Sequence, residues 1–180
     1  MLPLAGALWL VVGCTGYSAS HGPRPLEPGH RTFAVGASAI SDSGEQALFF
    51  MPEVSYRQGL TDGIDAGVEW AGYSLGVDAL ASLWEQDPTV LSAGLGVSIT
   101  FPGPSLVLHP ELYVGSDHLF MGARAMMVGG GFSPFPGLSF GTMLGDRDGT
   151  NVLPTLSVWR DETTMLVFTV NVRFSSGEEP

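Results

Sequence analysis

From residue 31 to residue 174 apolar and polar side chains alternate with a period of two. That period places every second side chain on one face of a β-strand. Leu91, Ala93, Leu95, Val97, Ile99 and Phe101 share one face, and Ser92, Gly94, Gly96, Ser98 and Thr100 share the other. The same split runs through Tyr73 to Leu83 and through Leu166 to Phe174. Ten segments of this kind are predicted, near 31–40, 47–58, 63–71, 73–84, 89–101, 105–115, 118–129, 136–145, 151–160 and 163–174. Turn chemistry separates them: Ser-Asp-Ser-Gly-Glu at 41–45, Gly-Leu-Thr-Asp-Gly at 59–63, Pro-Gly-Pro at 102–104 and Asp-Arg-Asp-Gly at 146–149. The pattern predicts an all-β chain, an antiparallel up-and-down transmembrane β-barrel of about ten strands. The connections at 71–73 and 132–137 admit other readings, and eight strands are the alternative.

Alternation alone leaves open which face is inside. The smaller face carries Gly, Ser, Thr and the ionisable or polar residues Glu53, Arg57, Asp65, Glu69, Asp78, His109, Glu111, Tyr113, Arg124, Asn171 and Arg173. The larger is nearly unbroken Leu, Val, Ile, Ala and aromatic. Aromatics on the larger face gather near segment ends (Phe50, Tyr56, Trp70, Tyr73, Phe101 and Phe174), as an interfacial girdle requires. Segments of about ten residues also match a tilted membrane-crossing strand. This assigns the apolar face to lipid and the polar face to the lumen. A soluble barrel with the apolar face inward, holding a hydrophobic ligand, is the alternative.

Charge narrows the partners. Seven arginines and no lysine stand against eighteen acidic residues, a net charge of −11. Binding nucleic acid needs a basic surface, so that class is excluded, as is docking on anionic lipid through a polybasic patch. The polar residues 15–30, with three prolines and three glycines, predict a flexible tether before the barrel, and 175–180 a polar tail.

The first residues carry a distinct signal. An apolar run, Leu8-Trp9-Leu10-Val11-Val12-Gly13, ends at Cys14, the only cysteine. The run is too short to span a membrane as a helix. It resembles a bacterial lipoprotein signal peptide with its lipobox. The resemblance implies a signal peptide over 1–13, acylation of Cys14 and a lipidated tether over 14–30. A buried strand with Cys14 as an ordinary core thiol is the bland alternative. Thr15, in place of the Asp associated with inner-membrane retention, implies the outer membrane of a Gram-negative bacterium, with a periplasmic location as the alternative. Leu166 to Phe174 resembles the C-terminal recognition strand of outer-membrane barrels, and residues 52–65 resemble a hairpin of small outer-membrane barrel proteins of unassigned role. The partners so implied are membrane lipid and the machineries that assemble barrels and sort lipoproteins; no small-molecule ligand is identified.

Candidate chemistry is sparse. His109, Glu111 and Tyr113 at i, i+2 and i+4 share one strand face, and with neighbouring serines would offer the base and carboxylate of a hydrolase. A lumenal hydrogen-bonded cluster is the simpler expectation. Arg57, Arg124 and Arg173 against Glu53, Asp65, Glu69, Asp78 and Glu111 predict either a cation-selective constriction or a salt-bridge network that plugs a narrow barrel. Asp146-Arg147-Asp148-Gly149-Thr150-Asn151 opens like a calcium loop but lacks the distal bidentate glutamate. No metal, cofactor or catalytic residue is assigned from the sequence.

Overall fold

In the computed structural model the chain is described at residues 21–42, 48–102, 104–128, 135–160 and 164–177; the proposed signal peptide and Cys14 lie outside these residues. Eleven strands follow one another: β1 (Arg31–Asp42), β2 (Leu48–Thr61), β3 (Ile64–Ala71), β4 (Ser74–Gln86), β5 (Thr89–Thr100), β6 (Ser105–Gly115), β7 (Phe120–Val128), β8 (Phe135–Gly141), β9 (Leu144–Gly145), β10 (Thr150–Arg160) and β11 (Thr164–Ser176). Sequence neighbours pair antiparallel, except that β8 and β9 each pair with β10, and β11 returns to pair with β1 from Arg31↔Ser176 to Asp42↔Met165. The sheet therefore closes on itself. The strands β8 and β9 both lie along β10 and form one interrupted stave, so the barrel has ten staves. No helix occurs among the described residues.

Ten staves and their order agree with the sequence pattern. The doubtful 71–73 connection is a hairpin in which Gly72, at φ 54°, turns β3 directly into β4. Asp62-Gly63 closes the β2–β3 hairpin in the same way, with Gly63 at φ 74°. The remaining doubtful connection, 132–137, lies partly outside the described residues.

The two faces separate by burial. Glu53, Arg57, Asp65, His109, Glu111, Tyr113, Arg124, Asn171 and Arg173 point inward and are buried, while Glu69 and Asp78 are half-buried. Leu75, Val77, Leu95, Ile99, Leu112, Leu138, Leu156 and Phe168 point outward and are exposed. All six girdle aromatics are exposed, from Tyr56 at 37 % to Phe50 at 70 %. Phe50, Trp70, Tyr73 and Phe101 ring the end opposite the chain termini. Tyr56 and Phe174 flank Phe33 in one cross-strand row nearer the terminal end. The barrel is thus apolar outside and polar at mid-lumen, the reverse of the soluble alternative.

Apolar side chains also fill both ends of the interior. Ile40, Met51, Val107, Met126, Trp159 and Val167 form a layer at the end opposite the termini. Leu80, Tyr113, Phe120, Met143 and Leu153 form a second layer nearer the termini. Their inward position follows from strand parity, since each sits an even number of residues from a buried polar neighbour on its strand or beside a local break.

One expectation is corrected. The tether predicted over 14–30 is not free of the barrel along its described part, residues 21–30. His21, Pro23, Pro25 and Leu26 are buried. The reason is local satisfaction of the backbone: Leu26 N–H donates to Asp65 Oδ2 at 2.9 Å, the Pro23 carbonyl accepts from the Ser92 hydroxyl, and the Pro25 carbonyl accepts from Arg147 Nη2 at 2.7 Å. Prolines contribute no N–H that would need a partner there. The segment enters the lumen from the terminal end and fills it.

Candidate functional site

Among the described residues the lumen gathers a dense set of ionisable groups, and the strand register determines who meets whom. Arg57 on β2 lies level with Gly67 on β3, which is itself level with Asp78 on β4. Without a side chain at Gly67, the guanidinium reaches across: Nη1 to Asp78 Oδ2 at 2.5 Å and Nη2 to Asp65 Oδ1 at 2.5 Å. One arginine thus joins three staves. The carboxylates it binds are buried or half-buried, so each charge is compensated where water is scarce.

A second group is built on β6 and β7. Glu111 faces Arg124 across the ladder, with Arg124 Nε 3.0 Å from Glu111 Oε2. Tyr113 donates its hydroxyl to the same oxygen at 3.0 Å. The other oxygen, Oε1, lies 3.3 Å from Nε2 of His21, which also approaches Asp78 Oδ2 at 3.9 Å. The strand pattern does not predict His21 as a site residue, because it lies in a segment whose composition is that of a tether. A proline-flanked histidine among small polar residues carries no periodic signal that would place it in a barrel. Its ring packs edge-on to Tyr113, centroids 5.1 Å apart.

His109 stands apart from these bonds. It is buried, its ring lies over Gly96 on β5, and neither ring nitrogen has a hydrogen-bond partner. The link from histidine to a carboxylate or a hydroxyl that a hydrolytic triad needs is not formed at His109. Tyr113 bonds Glu111 instead. Inward glycines receive large neighbours: His109 over Gly96, Tyr113 against Gly122, Phe120 against Gly141 and Trp159 against Gly137.

The remaining predicted lumen residues form other layers. Glu53 accepts from the Ser38 hydroxyl, which is itself 2.5 Å from Thr169 Oγ1. Asn171 fills the space over Gly36. Arg173 reaches Met143 Sδ at 3.9 Å, near the terminal end, and does not join the Arg57 and Arg124 groups. Glu69 lines the same small cavity as His21, Asp78, His109 and Glu111. The calcium-like stretch is a turn: Asp146 accepts from the Asp148 N–H through Oδ1 and from Asn151 Nδ2 through its carbonyl.

At the rim, Arg24 pairs with Glu85 and with Asp117 at 3.3 Å, and Arg147 approaches Asp117 at 3.8 Å. The arginines of the inserted segment and of the β9–β10 turn thus converge on acidic residues of the barrel mouth. Taken with the two apolar layers, the arrangement is that of a filled lumen rather than a bore.

No family model and no curated protein matches the chain. Among solved structures it is similar to a de novo designed transmembrane β-barrel, at 10 % identity and TM-score 0.39, over 83 % of this chain and 98 % of that one. It is also similar to the attachment invasion locus protein Ail of Yersinia pestis, at 9 % identity and TM-score 0.35, over 82 % and 99 %. A third similarity is to the KdgM porin in complex with disordered oligogalacturonate, at 11 % identity and TM-score 0.44, over 78 % and 98 %.

Proposed function

We propose that the chain is a closed, non-catalytic barrel spanning the outer membrane of a Gram-negative bacterium, with a structural or ligand-holding role in the envelope. The observation that carries this reading is the inverted polarity of the wall. A monomer in water rarely exposes a contiguous apolar patch beyond a few hundred Å², and here the outward positions of the described strands are almost all Leu, Val, Ile, Ala, Met and aromatic. Lipid removes that penalty. Strands of about eleven residues at ~3.3 Å each, tilted by ~40°, rise about 28 Å, enough for an apolar band of ~25 Å. Closure meanwhile leaves no unpaired strand edge in the hydrocarbon.

The lumen supports a closed barrel over a channel. Arg57 binds Asp65 and Asp78, Arg124 binds Glu111, the ends are filled by apolar layers, and the inserted N-terminal segment occupies the terminal mouth. Planar-bilayer recording of the refolded chain is expected to give no unitary current. Sustained cation-selective steps from the wild-type chain would reject closure and favour a carboxylate-lined pore. Full solubility as a monomer without detergent would instead reject the membrane assignment.

Lipid attachment at Cys14 belongs to the same proposal, as do the barrel-assembly and lipoprotein-sorting machineries as partners. Cys14→Ser is expected to abolish labelling by a radioactive fatty acid and to leave the precursor unprocessed. Normal processing and fractionation of that variant would remove the anchor from the proposal without touching the barrel.

A further inference from the structure

We propose that the lumen holds a divalent transition-metal site, of the zinc type, formed by His21, Asp78 and Glu111 with His109 as the fourth ligand. The site ties the inserted N-terminal segment to β4 and β6. It rests on the side-chain geometry of the lumen and is independent of whether the barrel conducts.

The first argument is the tautomer of His21. Its Nδ1 lies 3.0 Å from the carbonyl oxygen of Gly22. A carbonyl only accepts, so Nδ1 carries the hydrogen. The neutral ring then presents the Nε2 lone pair to Glu111 Oε1 at 3.3 Å and to Asp78 Oδ2 at 3.9 Å. A lone pair aimed at two carboxylates is repulsive unless a cation stands between them. A ring nitrogen fixed by a backbone carbonyl, with the opposite nitrogen free to ligate, is the arrangement metal-binding histidines adopt.

The second argument is metric. Ligand atoms of His21, Asp78 and Glu111 lie within 4.8 Å of one another. Tetrahedral Zn–N and Zn–O bonds of about 2.0–2.1 Å set neighbouring ligand atoms about 3.3–3.4 Å apart. The His21–Glu111 separation already has that value, and the His21–Asp78 separation has to close by about half an ångström. Glu111 divides its two oxygens between the two tasks, Oε2 for Arg124 and Tyr113 and Oε1 for His21.

The third argument is independent of the cluster. His109, 5 % exposed, lines the same cavity with no hydrogen-bond partner for either nitrogen. A buried imidazole without partners carries an uncompensated desolvation cost, which ligation would remove. The cavity measures about 10 Å³, room for one water-sized body. Glu69, Asp78, Glu111 and the Arg124 guanidinium line it, and Arg57, bonded to Asp78 Oδ2, is shared with Asp65. Four carboxylates against two guanidiniums leave an excess of two negative charges, which matches a divalent cation. Two imidazoles with two carboxylates select Zn²⁺ and its neighbours over Ca²⁺ or Mg²⁺, which take all-oxygen shells.

The test uses the full chain refolded in detergent, stripped with a chelator and titrated with Co²⁺. One equivalent is expected to give the intense visible absorption of tetrahedral Co²⁺, discharged by Zn²⁺. His21→Gln and His109→Gln are each expected to weaken binding at least about tenfold, the loss that even an outer-shell partner causes. His118→Gln, on the exposed β6–β7 connection, should leave it unchanged. His21 lies outside the ladder, so its variant keeps every strand pairing; gel mobility of the unboiled protein checks folding. Should His109→Gln fail to refold, pulsed EPR of the wild-type Cu²⁺ form counts the imidazoles directly, two being expected. Absence of tetrahedral Co²⁺ absorption, a single imidazole, or affinity indifferent to His21→Gln would overturn the site and leave a proton on His21 as the bridging cation.

Discussion

Arg57 shows what a single residue does inside this barrel. Its guanidinium is 3 % exposed and serves Asp65 and Asp78 at once. Removing it leaves two carboxylates in the interior without their cation, and breaking a buried pair in this way costs about 3–5 kcal/mol. Arg57→Met, which keeps the length and apolar stem of the side chain, is therefore expected to lower unfolding free energy in urea by about that amount. The double change with Asp65→Asn should recover part of the loss, because one stranded charge is removed. A loss below about 1 kcal/mol in Arg57→Met would mean that water reaches the cluster freely. At this scale the sequence was readable to a definite depth. Strand parity places Glu53, Arg57, Asp65, Glu111, Arg124 and Arg173 together on the polar face, because period two admits only two faces. Parity does not tell which cation meets which carboxylate. That depends on register between strands and on glycines such as Gly67, whose missing side chain lets Arg57 cross to β4.

Among the elements, the strands and the N-terminal segment differ in how they are encoded. Strands announce themselves by alternation and by turns such as Asp62-Gly63, so their existence and order follow from the chain alone. Residues 21–28 carry the opposite signature, prolines and small polar residues, which is the composition of a linker. Their docking depends on long-range partners, Asp65 for the Leu26 N–H and Ser92 for the Pro23 carbonyl, and no local pattern reports those. The stave formed by β8 and β9 is a milder case. Its alternation continues through Thr142 and inward Met143 in unchanged register, yet the ladder lapses opposite Pro154, which accepts from the Thr142 N–H but has no N–H to return. A labelling experiment isolates the contribution of the segment. With Cys14→Ser as background, Ser92→Cys is expected to resist a water-soluble thiol reagent in the full-length chain and to react once residues 21–28 are deleted. The strand pairing that closes the barrel, Arg31↔Ser176 onward, does not use the deleted residues. Current is expected to stay absent in the deletion, because Trp159, Met126 and their neighbours still fill the far end. Equal labelling of both proteins would show that the segment does not occupy the lumen.

For the whole molecule the decisive property is the direction of the apolar face, which composition and periodicity leave undetermined and which closure of the ten staves resolves. A soluble barrel and this one have the same alternation; they differ in what the outer wall tolerates. Leu95, half exposed at 53 %, lies midway along β5, and Leu60, at 56 %, lies near the terminal end of β2. The two side chains have equal volume and nearly equal exposure, so packing loss on replacement is similar. Their depth in a bilayer is not. Arginine on the lipid face costs about 2–4 kcal/mol at the midplane and about 0–1 kcal/mol near the interface. Leu95→Arg is accordingly expected to destabilise the barrel in lipid vesicles by about 2–4 kcal/mol, and Leu60→Arg by no more than about 1 kcal/mol, in reversible denaturant unfolding. An outer wall bathed in water would give near-neutral effects at both positions, since exposed substitutions away from special features stay within about 0.5 kcal/mol. The difference between the two variants, rather than either value, carries the test, because any general effect of added charge on folding cancels in it.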